Sequence, residues 1–294
     1  MKFRKAYIEI TNQCNLSCAF CPKTSREPRF MDEALFDAIC SQLAGCSQRL
    51  YFHVMGEPLL HPRLAAFLDI CARYNHNVYL VTNGMWLAKR HEDLVLKPAL
   101  RQLCVSVRSC VGQLNEEEFR SYFDAVKNIA DTLAKNSGAT TQLRLWNKGV
   151  DDLAYQTMLF RLIQETFGLS FGLEDALGSR RALLLGKNLC IDSSAPFEWP
   201  SLNNKNYGGR GTCYGLRRQC AILADGTVTA CCLDNNGILN LGAIRERSLT
   251  DILSGKRAIA IRQGFERGVV VEELCRKCSY RLRFTMRSKK AAHA

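Results

Sequence analysis

The sequence predicts an α/β fold in which a parallel sheet is covered by helices and is followed by a smaller second module. Short apolar or β-branched runs alternate with helical patterns over about 190 of the 294 residues, and this alternation is typical of parallel strands joined by helices. A segment rich in Pro, Asn and Gly then breaks the alternation. We therefore divide the chain into a core at 1–192, a linker at 193–212 and a second module at 213–294.

The predicted strands of the core are short runs rich in β-branched, aromatic and aliphatic residues. They are AYIEIT at 6–11, LYFHV at 50–54, VYLVT at 78–82, LCVSV at 103–107, TTQLRLW at 140–146 and ALLLGKNLCI at 182–191. The predicted helices repeat apolar residues at helical spacing. They cover 32–44, 62–74, 85–96, 115–135 and 151–167. Because parallel sheets bind ligands at the C-terminal ends of their strands, polar residues after these runs are candidates for a functional site.

The second module is predicted to open with a hairpin over QCAILADGTVTACC at 219–232. Asp225 and Gly226 supply the turn between two alternating runs. A helix is predicted over 248–261, and the module closes on the sequence ELCRKC.

Composition limits the class of protein before any motif is considered. The chain is 47% hydrophobic and 23% charged, as expected of a globular chain with a core. No window approaches the roughly 18 apolar residues of a membrane span, and the N-terminus lacks a secretory signal. We therefore expect a cytoplasmic protein without membrane contact. Cytosolic thiols stay reduced, so the 15 cysteines predict metal ligation rather than disulfides.

The formal net charge is +12, and part of the basic excess follows the last cysteine. The residues concerned are Arg276, Lys277, Arg281, Arg283, Arg287, Lys289 and Lys290. A solvated tail explains such a run. An acidic partner is the functional alternative, so nucleic acid is not excluded as a partner, but the charge alone nominates none.

Three cysteines follow the first predicted strand, in the sequence CNLSCAFCP. Cys14, Cys18 and Cys21 can each give one thiolate to three irons of a [4Fe–4S] cluster, which leaves the fourth iron without a protein ligand. A structural zinc site would instead require four protein ligands. The spacing therefore favours a cluster that binds a further molecule at its open iron.

The cysteine loop resembles the signature of the radical S-adenosylmethionine (radical SAM) superfamily, C-x3-C-x-aromatic-C, with Phe20 as the aromatic residue. The resemblance implies a partial (β/α)6 TIM-like barrel. It further implies that SAM binds the open iron of the [4Fe–4S] cluster and is cleaved to a 5′-deoxyadenosyl radical that abstracts hydrogen from a substrate. A reductant such as flavodoxin or ferredoxin would supply the electron.

The resemblance also nominates residues that contact SAM. Gly56, Glu57 and Pro58 match the superfamily's Gly-Glu-Pro turn and would receive the amino group of SAM, since carbonyl and carboxylate oxygens accept its N–H donors. The other nominated contacts are Asn83 in the turn VTNG, Ser106 at the end of the fourth run, and Arg144 in the fifth. Arg108 stands where related enzymes carry an acid two residues after the serine. Arg144 could pair with the SAM carboxylate or with a carboxylate of the protein.

The second module resembles the SPASM extension, in its shortened "twitch" form with one auxiliary [4Fe–4S] cluster. The implied ligands are Cys213, Cys231, Cys275 and Cys278. Four protein ligands leave no open iron, which suits electron transfer. A four-thiolate zinc ribbon is the structural alternative. Cys232 is expected to point away from Cys231, because side chains alternate along a strand.

Two classes of function follow. The first is a radical SAM enzyme of the oxidoreductase type that modifies a peptide, or that dehydrogenates or epimerises a small polar molecule; in an epimerase, Cys110 or Cys190 could return a hydrogen atom. The alternative is a non-catalytic iron–sulfur protein that transfers electrons or acts as a sensor. An open iron beside an amino-acid-binding turn favours the enzyme, because an electron carrier has no use for either.

Overall fold

The computed structural model describes residues 2–145, 153–178, 180–195 and 197–284. These residues form two compact units. The first unit consists of the described residues within 1–56, 73–76 and 197–294. The second consists of those within 57–72 and 77–196. Both candidate cluster-binding cysteine sets therefore belong to the first unit.

The strands of the described residues are β1 (Lys5–Ile8), β2 (Arg49–Phe52), β3 (Asn77–Thr82), β4 (Leu100–Val105), β5 (Thr140–Leu145), β6 (Ala182–Gly186), β7 (Leu189–Ser193), β8 (Gln219–Ile222) and β9 (Val228–Thr229). The helices are α1 (Glu33–Leu43), α2 (Leu64–Arg73), α3 (His91–Val95), α4 (Glu116–Asn136), α5 (Leu153–Phe167), α6 (Leu173–Leu177), α7 (Leu249–Leu253), α8 (Lys256–Glu266) and α9 (Glu273–Arg276). Short 3-10 helices cover Pro58–Leu60, Ala88–Arg90, Val107–Cys110 and Ser279–Arg281.

In the first unit, β1 pairs in parallel with both β2 and β8. Ala6 lies opposite Leu50 on one side and Cys220 on the other. Strand β8 then pairs antiparallel with β9. Gly226, in the connecting turn, has a φ of +94°, a conformation that glycine adopts without strain. The predicted hairpin is confirmed, and its first strand lies directly beside β1.

In the second unit, β3, β4, β5 and β7 form a parallel series, and β6 pairs antiparallel with β7. Helix α4 starts at a capping box in which Asn115 and Glu118 exchange hydrogen bonds between side chain and backbone. It buries one face, which includes Phe119, Phe123 and Leu133. Full burial of such a side chain contributes about 1.5–3 kcal/mol. The predicted α/β class is confirmed.

Three predicted elements differ from the structure. The run at 182–191 forms two antiparallel strands, because Lys187 and Asn188 make a turn between β6, which ends at Gly186, and β7. The helix predicted over 248–261 is two helices, with α7 ending before Gly255, the N-cap of α8. In place of the helix predicted over 85–96, the structure has a short 3-10 helix, Ala88–Arg90, followed by α3. The predicted ends of β5 at 146 and of α5 at 151 lie outside the described residues.

Within the described ranges, no helix combines the length and apolar character that crossing a membrane requires.

Candidate active site

The first candidate cluster loop follows β1. Cys14 and Cys21 are exposed, Cys18 is half-buried, and Phe20 between them is 40% exposed. The Leu16 amide donates to Cys14 Sγ at 3.4 Å. Cys21 is exposed overall, but its sulfur atom is partly buried, and this burial raises the pKa of the thiol to about 11. The charges of Cys18 and Cys14 contribute to the same shift. The three thiols therefore lie within electrostatic range of one another, as ligands of one group must.

Gly56 brings the predicted SAM-binding turn against the backbone that precedes these cysteines. Its φ is +76°, which favours glycine. A Cβ at this position would lie 2.3 Å from the carbonyl oxygen of Thr11 and 2.9 Å from that of Gln13. Only glycine therefore fits at position 56, because any side chain would clash with the backbone carbonyls of Thr11 and Gln13.

A buried ion pair anchors the segment that follows the cysteine loop. Arg26 Nη2 lies 2.7 Å from Glu9 Oε2, with side chains 15% and 0% exposed. Arg26 Nε donates to the Asn235 carbonyl oxygen at 2.8 Å. Glu9 also accepts from the amides of Met55 at 3.2 Å and Ala224 at 3.1 Å. Burial raises the pKa of Glu9, whereas Arg26 and the two amides lower it. Removing one partner of such a pair costs about 3–5 kcal/mol.

Further contacts extend this anchor. The Thr24 hydroxyl donates to Asn236 Oδ1 at 2.8 Å, and Asn235 Nδ2 donates to the Lys23 carbonyl oxygen at 3.4 Å. Residues 23–26 come shortly after Cys21, and residues 235–236 come shortly after Cys231. The two cysteine-bearing loops are thus joined by direct hydrogen bonds.

Glu57 is buried and already has three donors from the protein. Its Oε1 accepts from the Leu59 amide at 2.9 Å and the Thr82 hydroxyl at 2.7 Å, and its Oε2 accepts from the Asn83 amide at 2.7 Å. Burial raises the pKa of Glu57 to about 7, while the bonds from Asn83, Thr82 and Leu59 lower it. Because a carboxylate has about four acceptor sites, about one remains for a ligand. Pro58 opens the 3-10 helix that this carboxylate caps.

Asn83 and Ser106 lie at the ends of two adjacent strands. The Asn83 carbonyl oxygen accepts from the Tyr122 hydroxyl at 3.0 Å and from the Cys110 thiol at 3.4 Å. The Ser106 amide donates to the Thr82 carbonyl oxygen at 2.8 Å. Cys110, a candidate hydrogen-atom donor, is fully buried, so its sulfur lies inside the fold.

Arg144 lies on a polar face shared by β4, β5 and β7. In the parallel ladders, Cys104 pairs with Gln142, Gln142 with Cys190, and Arg144 with Asp192. Residues paired in register point to the same side of a sheet, and alternate residues point to opposite sides. These five side chains therefore share one face of the sheet, with Arg144 and Asp192 near the C-terminal ends of β5 and β7.

Asp192 is the buried carboxylate of this face, 8% exposed. Its oxygens lie 3.5 Å from Gln142 Nε2, 3.5 Å from the Ser194 hydroxyl and 3.6 Å from Arg181 Nε. Hydrogen bonds that involve charged groups are normally about 2.7–2.9 Å long. The carboxylate is therefore only loosely held by the protein and can accept closer donors.

The cysteines of the second candidate cluster also lie within electrostatic range of one another. Burial raises the pKa of Cys231 well above its usual value, and the charges of Cys232, Cys213, Cys275 and Cys278 add to it. Burial likewise raises the pKa of Cys275 well above its usual value, and the charges of Cys213 and Cys278 raise it further. In the part of the chain that the structure describes, no group of three or more His, Cys, Asp or Glu is suited to a single metal ion. A cubane cluster instead takes one thiolate on each iron.

Cys232 does not follow the predicted strand alternation, because β9 already ends at Thr229. Its thiol forms a hydrogen bond with Tyr7. Burial raises the pKa of Tyr7 well above its usual value, and the charge of Cys232 raises it further. Cys232 is thus packed against β1.

Aromatic side chains cover this cysteine group. The ring of Phe197 lies 5.4 Å from that of Trp199 and 5.1 Å from that of Tyr280. All three pack against the buried cluster of side chains that includes Cys232, and Cys231 and Cys278 pack there as well. The segment predicted as a linker therefore contributes to the environment of the candidate cluster.

Sequence reasoning missed four charged residues of these sites: Glu9, Arg26, Asp192 and Arg281. The sequence does contain an indication for Glu9, since this charged residue interrupts the apolar run AYIEIT. Arg281 was grouped with the basic tail, yet it is 1% exposed, so a solvated or partner-binding role does not hold for it. Arg287, Lys289 and Lys290 lie outside the described residues.

Comparison with protein families gives two matches. Residues 8–142 match the radical SAM superfamily, and residues 213–279 match SPASM, an iron–sulfur cluster-binding domain. Together they imply a SAM-binding [4Fe–4S] cluster, auxiliary cluster chemistry and SAM itself as cofactors, consistent with the thiol sets described above.

Among characterised proteins, a 129-residue segment is 26% identical to the S-adenosyl-L-methionine-dependent 2-deoxy-scyllo-inosamine dehydrogenase of Niallia circulans. This match spans 42% of the chain and only half of that relative.

Two solved structures have a similar fold. BtrN in complex with AdoMet and 2-DOIA is 20% identical, with a TM-score of 0.61 over 95% of this chain and 94% of that chain. SuiB of Streptococcus suis bound to precursor peptide SuiA is 15% identical, with a TM-score of 0.60 over 89% of this chain and 67% of that chain. The mixed α/β fold with its parallel sheet is thus similar to the partial TIM barrel of radical SAM enzymes. The chain thus carries a region that matches the radical SAM superfamily at residues 8–142 and a C-terminal SPASM iron–sulfur cluster-binding domain at residues 213–279.

Proposed function

We propose that the protein is a radical SAM dehydrogenase that oxidises a hydroxyl-bearing carbon of a small, polar, amine-containing molecule. The observation that carries this proposal is the similarity to a dehydrogenase of 2-deoxy-scyllo-inosamine, an amine with several hydroxyl groups. The loosely held carboxylate of Asp192 on an otherwise polar face supports it, because such a group accepts hydrogen bonds from amines and hydroxyls.

We assign the cluster ligands accordingly. Cys14, Cys18 and Cys21 would hold the SAM-binding [4Fe–4S] cluster. The four ligands of one auxiliary [4Fe–4S] cluster would be Cys213, Cys231, Cys275 and Cys278. In this assignment the core spans 1–192, and the module at 213–294 follows the linker at 193–212.

Oxidation of an alcohol to a ketone removes one hydrogen atom, one proton and one electron from the substrate. When bound, the two clusters and SAM would supply a 5′-deoxyadenosyl radical that takes the hydrogen atom and an acceptor for the electron. One electron from a reductant such as flavodoxin or ferredoxin starts the cycle, and the substrate returns one electron. The proton needs an acceptor on the protein.

Asp192 is the proton acceptor that the polar face offers. Burial raises the pKa of Cys104 to about 12 and, with the charge of Asp192, also raises the pKa of Cys190. Both thiols are therefore protonated near neutral pH and cannot accept the proton. Arg144 and Gln142 would donate hydrogen bonds to substrate hydroxyl oxygens, and Arg144 is alternatively the partner of the SAM carboxylate.

Epimerisation is the second candidate, supported by the half-buried, protonated thiol of Cys190 on the same face. In that reaction the Cys190 S–H bond breaks and a substrate C–H bond forms, and a one-electron reductant and a proton then restore the thiol.

The deciding experiment uses 2-deoxy-scyllo-inosamine deuterated at its carbinol carbons. The reconstituted, reduced protein with SAM is expected to transfer deuterium into 5′-deoxyadenosine and to form one ketone for each SAM consumed, as read by mass spectrometry. Unlabelled hydrogen returned to the carbon without ketone would indicate epimerisation. If no deuterium reached 5′-deoxyadenosine, this substrate class would be wrong.

In the same assay, Asp192→Asn should lower kcat/KM for the aminocyclitol by about tenfold to a hundredfold, because it removes a charged acceptor worth about 1.5–3 kcal/mol. Its control is Asp175→Asn, an exposed carboxylate in α6, which should leave the rate unchanged.

For SAM binding, Glu57→Gln is expected to raise the dissociation constant by about one to two decades, since a charged acceptor of the amino group is lost. Equilibrium binding to the reconstituted protein measures this change. Glu117→Gln, an exposed residue of α4, serves as the control. Equal affinity of wild type and Glu57→Gln would remove Glu57 from the SAM site.

The same pair of proteins also tests the pKa of Glu57, about 7. Only the carboxylate form accepts the amino N–H fully, so wild-type affinity should decline as pH falls through 7. The ratio of the two dissociation constants cancels the titration of SAM itself. That ratio should be largest above pH 7 and shrink below it, and a ratio independent of pH would contradict the assignment.

A further inference from the structure

Arg281 is an arginine that the protein buries almost completely, with 1% of its surface exposed. Its guanidinium donates to four backbone carbonyl oxygens. These are Cys275 O from Nε at 2.8 Å, Arg210 O from Nη1 at 2.9 Å, and Tyr207 O and Gly208 O from Nη2 at 2.9 and 2.5 Å. In the described part of the chain, all of its hydrogen-bond partners are therefore neutral carbonyls.

This arrangement satisfies the N–H donors of Arg281 but not its charge. A buried charge is costly unless an opposite charge compensates it. A guanidinium also remains protonated at any physiological pH, so it cannot escape the cost by losing its proton. The environment of Arg281 therefore calls for an anionic group nearby.

The neighbouring groups identify that anion. Arg281 holds the carbonyl of Cys275 and follows Cys278 by three residues. The backbone amides of Arg281 and Tyr280 form hydrogen bonds with the Cys278 thiol. A cluster ligated by four thiolates carries negative charge and gains one more unit on reduction, and its potential depends on nearby charge and on hydrogen bonds to sulfur.

We propose that Arg281 is a positioning residue whose buried charge raises the reduction potential of the auxiliary cluster, while its carbonyl contacts tie residues 207–210 to the segment that carries Cys275. A fixed cation stabilises the reduced, more negative form over the oxidised form, and burial weakens screening by water. The proposal rests on the proposed function, since it requires an iron–sulfur cluster at Cys213, Cys231, Cys275 and Cys278.

A purely mechanical role is the competing explanation, in which Arg281 only clips the linker to the module. Charge and hydrogen bonding can be separated by two substitutions. Arg281→Gln keeps N–H donors but removes the charge, and Arg281→Lys keeps the charge but loses the planar fork. Arg283→Gln is the matched control. This substitution also removes one positive charge, two positions away in the chain. The Arg283 side chain is half-buried, and its guanidinium lies over the Tyr280 ring, 4.7 Å from the ring centroid.

The measurement is a redox titration of the reconstituted full-length protein, followed by electron paramagnetic resonance. A variant without Cys14, Cys18 and Cys21 assigns the auxiliary signal. At a fixed applied potential, Arg281→Gln should lower the ratio of reduced to oxidised auxiliary cluster by about tenfold, or about 59 mV for a one-electron couple. Arg281→Lys and Arg283→Gln should both stay near the wild-type ratio.

Each outcome is decisive. If Arg281→Gln carries full iron and titrates like the wild type, Arg281 is only a clip and the proposal is overturned. If Arg281→Gln loses the auxiliary cluster but Arg281→Lys retains it at the wild-type potential, the charge itself is required and the proposal stands; a lowered potential in Arg281→Lys would overturn it. Equal loss in both variants would point to the carbonyl contacts alone and overturn it. A wild-type protein without auxiliary iron would instead refute the proposed function.

Discussion

Replacing Cys14, Cys18 and Cys21 together by Ala is expected to abolish 5′-deoxyadenosine formation and to remove about half of the bound iron. Two cubane clusters hold about eight irons, and this variant deletes every proposed protein ligand of one of them. The loss of SAM cleavage should be complete, because the remaining cluster, with its four proposed protein ligands, would have no open iron. Iron analysis and chromatography of the SAM products after anaerobic reconstitution measure both effects.

The appropriate control is Cys46→Ala, a half-buried cysteine outside both ligand sets, which should keep all of its iron and its SAM cleavage. A triple variant that retained the full iron content would show that the first cluster is bound elsewhere or not at all. Zinc in the second module of the wild type would refute the auxiliary cluster.

The second large effect is expected from the double variant Cys275→Ala, Cys278→Ala. It should still cleave SAM and still move deuterium from a labelled substrate into 5′-deoxyadenosine, yet give little finished ketone. In the proposed function, hydrogen abstraction depends on the other cysteine set, whereas the last electron needs the auxiliary cluster as its acceptor. The molar ratio of ketone to 5′-deoxyadenosine, measured in the same reaction, should therefore fall well below one.

Folding has to be verified before this result is interpreted, because metal binding contributes to the stability of small metal-binding modules. Circular dichroism and retained iron at the first cluster are the necessary checks. If a folded variant gave ketone in normal yield, the auxiliary cluster would be structural only, and its role in electron transfer would have to be withdrawn.

The features predicted successfully from the sequence depend on short stretches of chain. The superfamily resemblance of the sequence CNLSCAFCP and the hairpin turn at Asp225 and Gly226 each carry their signal within a few residues. Helix α4 could be predicted because its apolar spacing runs through 21 residues and starts at a capping box. Local patterns of this kind do not depend on which other segments lie nearby.

The features that sequence reasoning missed depend on contacts between distant segments. The donors to Glu9 include Ala224, 215 residues away, and no local pattern indicates such a partner. Asp192 directly follows a run, 182–191, that was interpreted as a single strand, so its position opposite Arg144 in the β5–β7 ladder could not be seen. Arg281 looked like one of several basic tail residues, and only the burial of its side chain sets it apart.

The parallel pairing of β1 with β8 has a consequence for synthesis on the ribosome. Strand β1 and the loop with Cys14 leave the exit tunnel before β8 and Ala224, which follow more than 200 residues later. At about 5–20 residues per second, the nascent chain waits on the order of 10–40 s before Glu9 receives its last donor and Arg26 its carbonyl partner. During that interval the N-terminal thiols are attached to an unfinished sheet edge. Iron–sulfur assembly factors would therefore meet the first cysteine loop in its final geometry only after the C-terminal module has been translated.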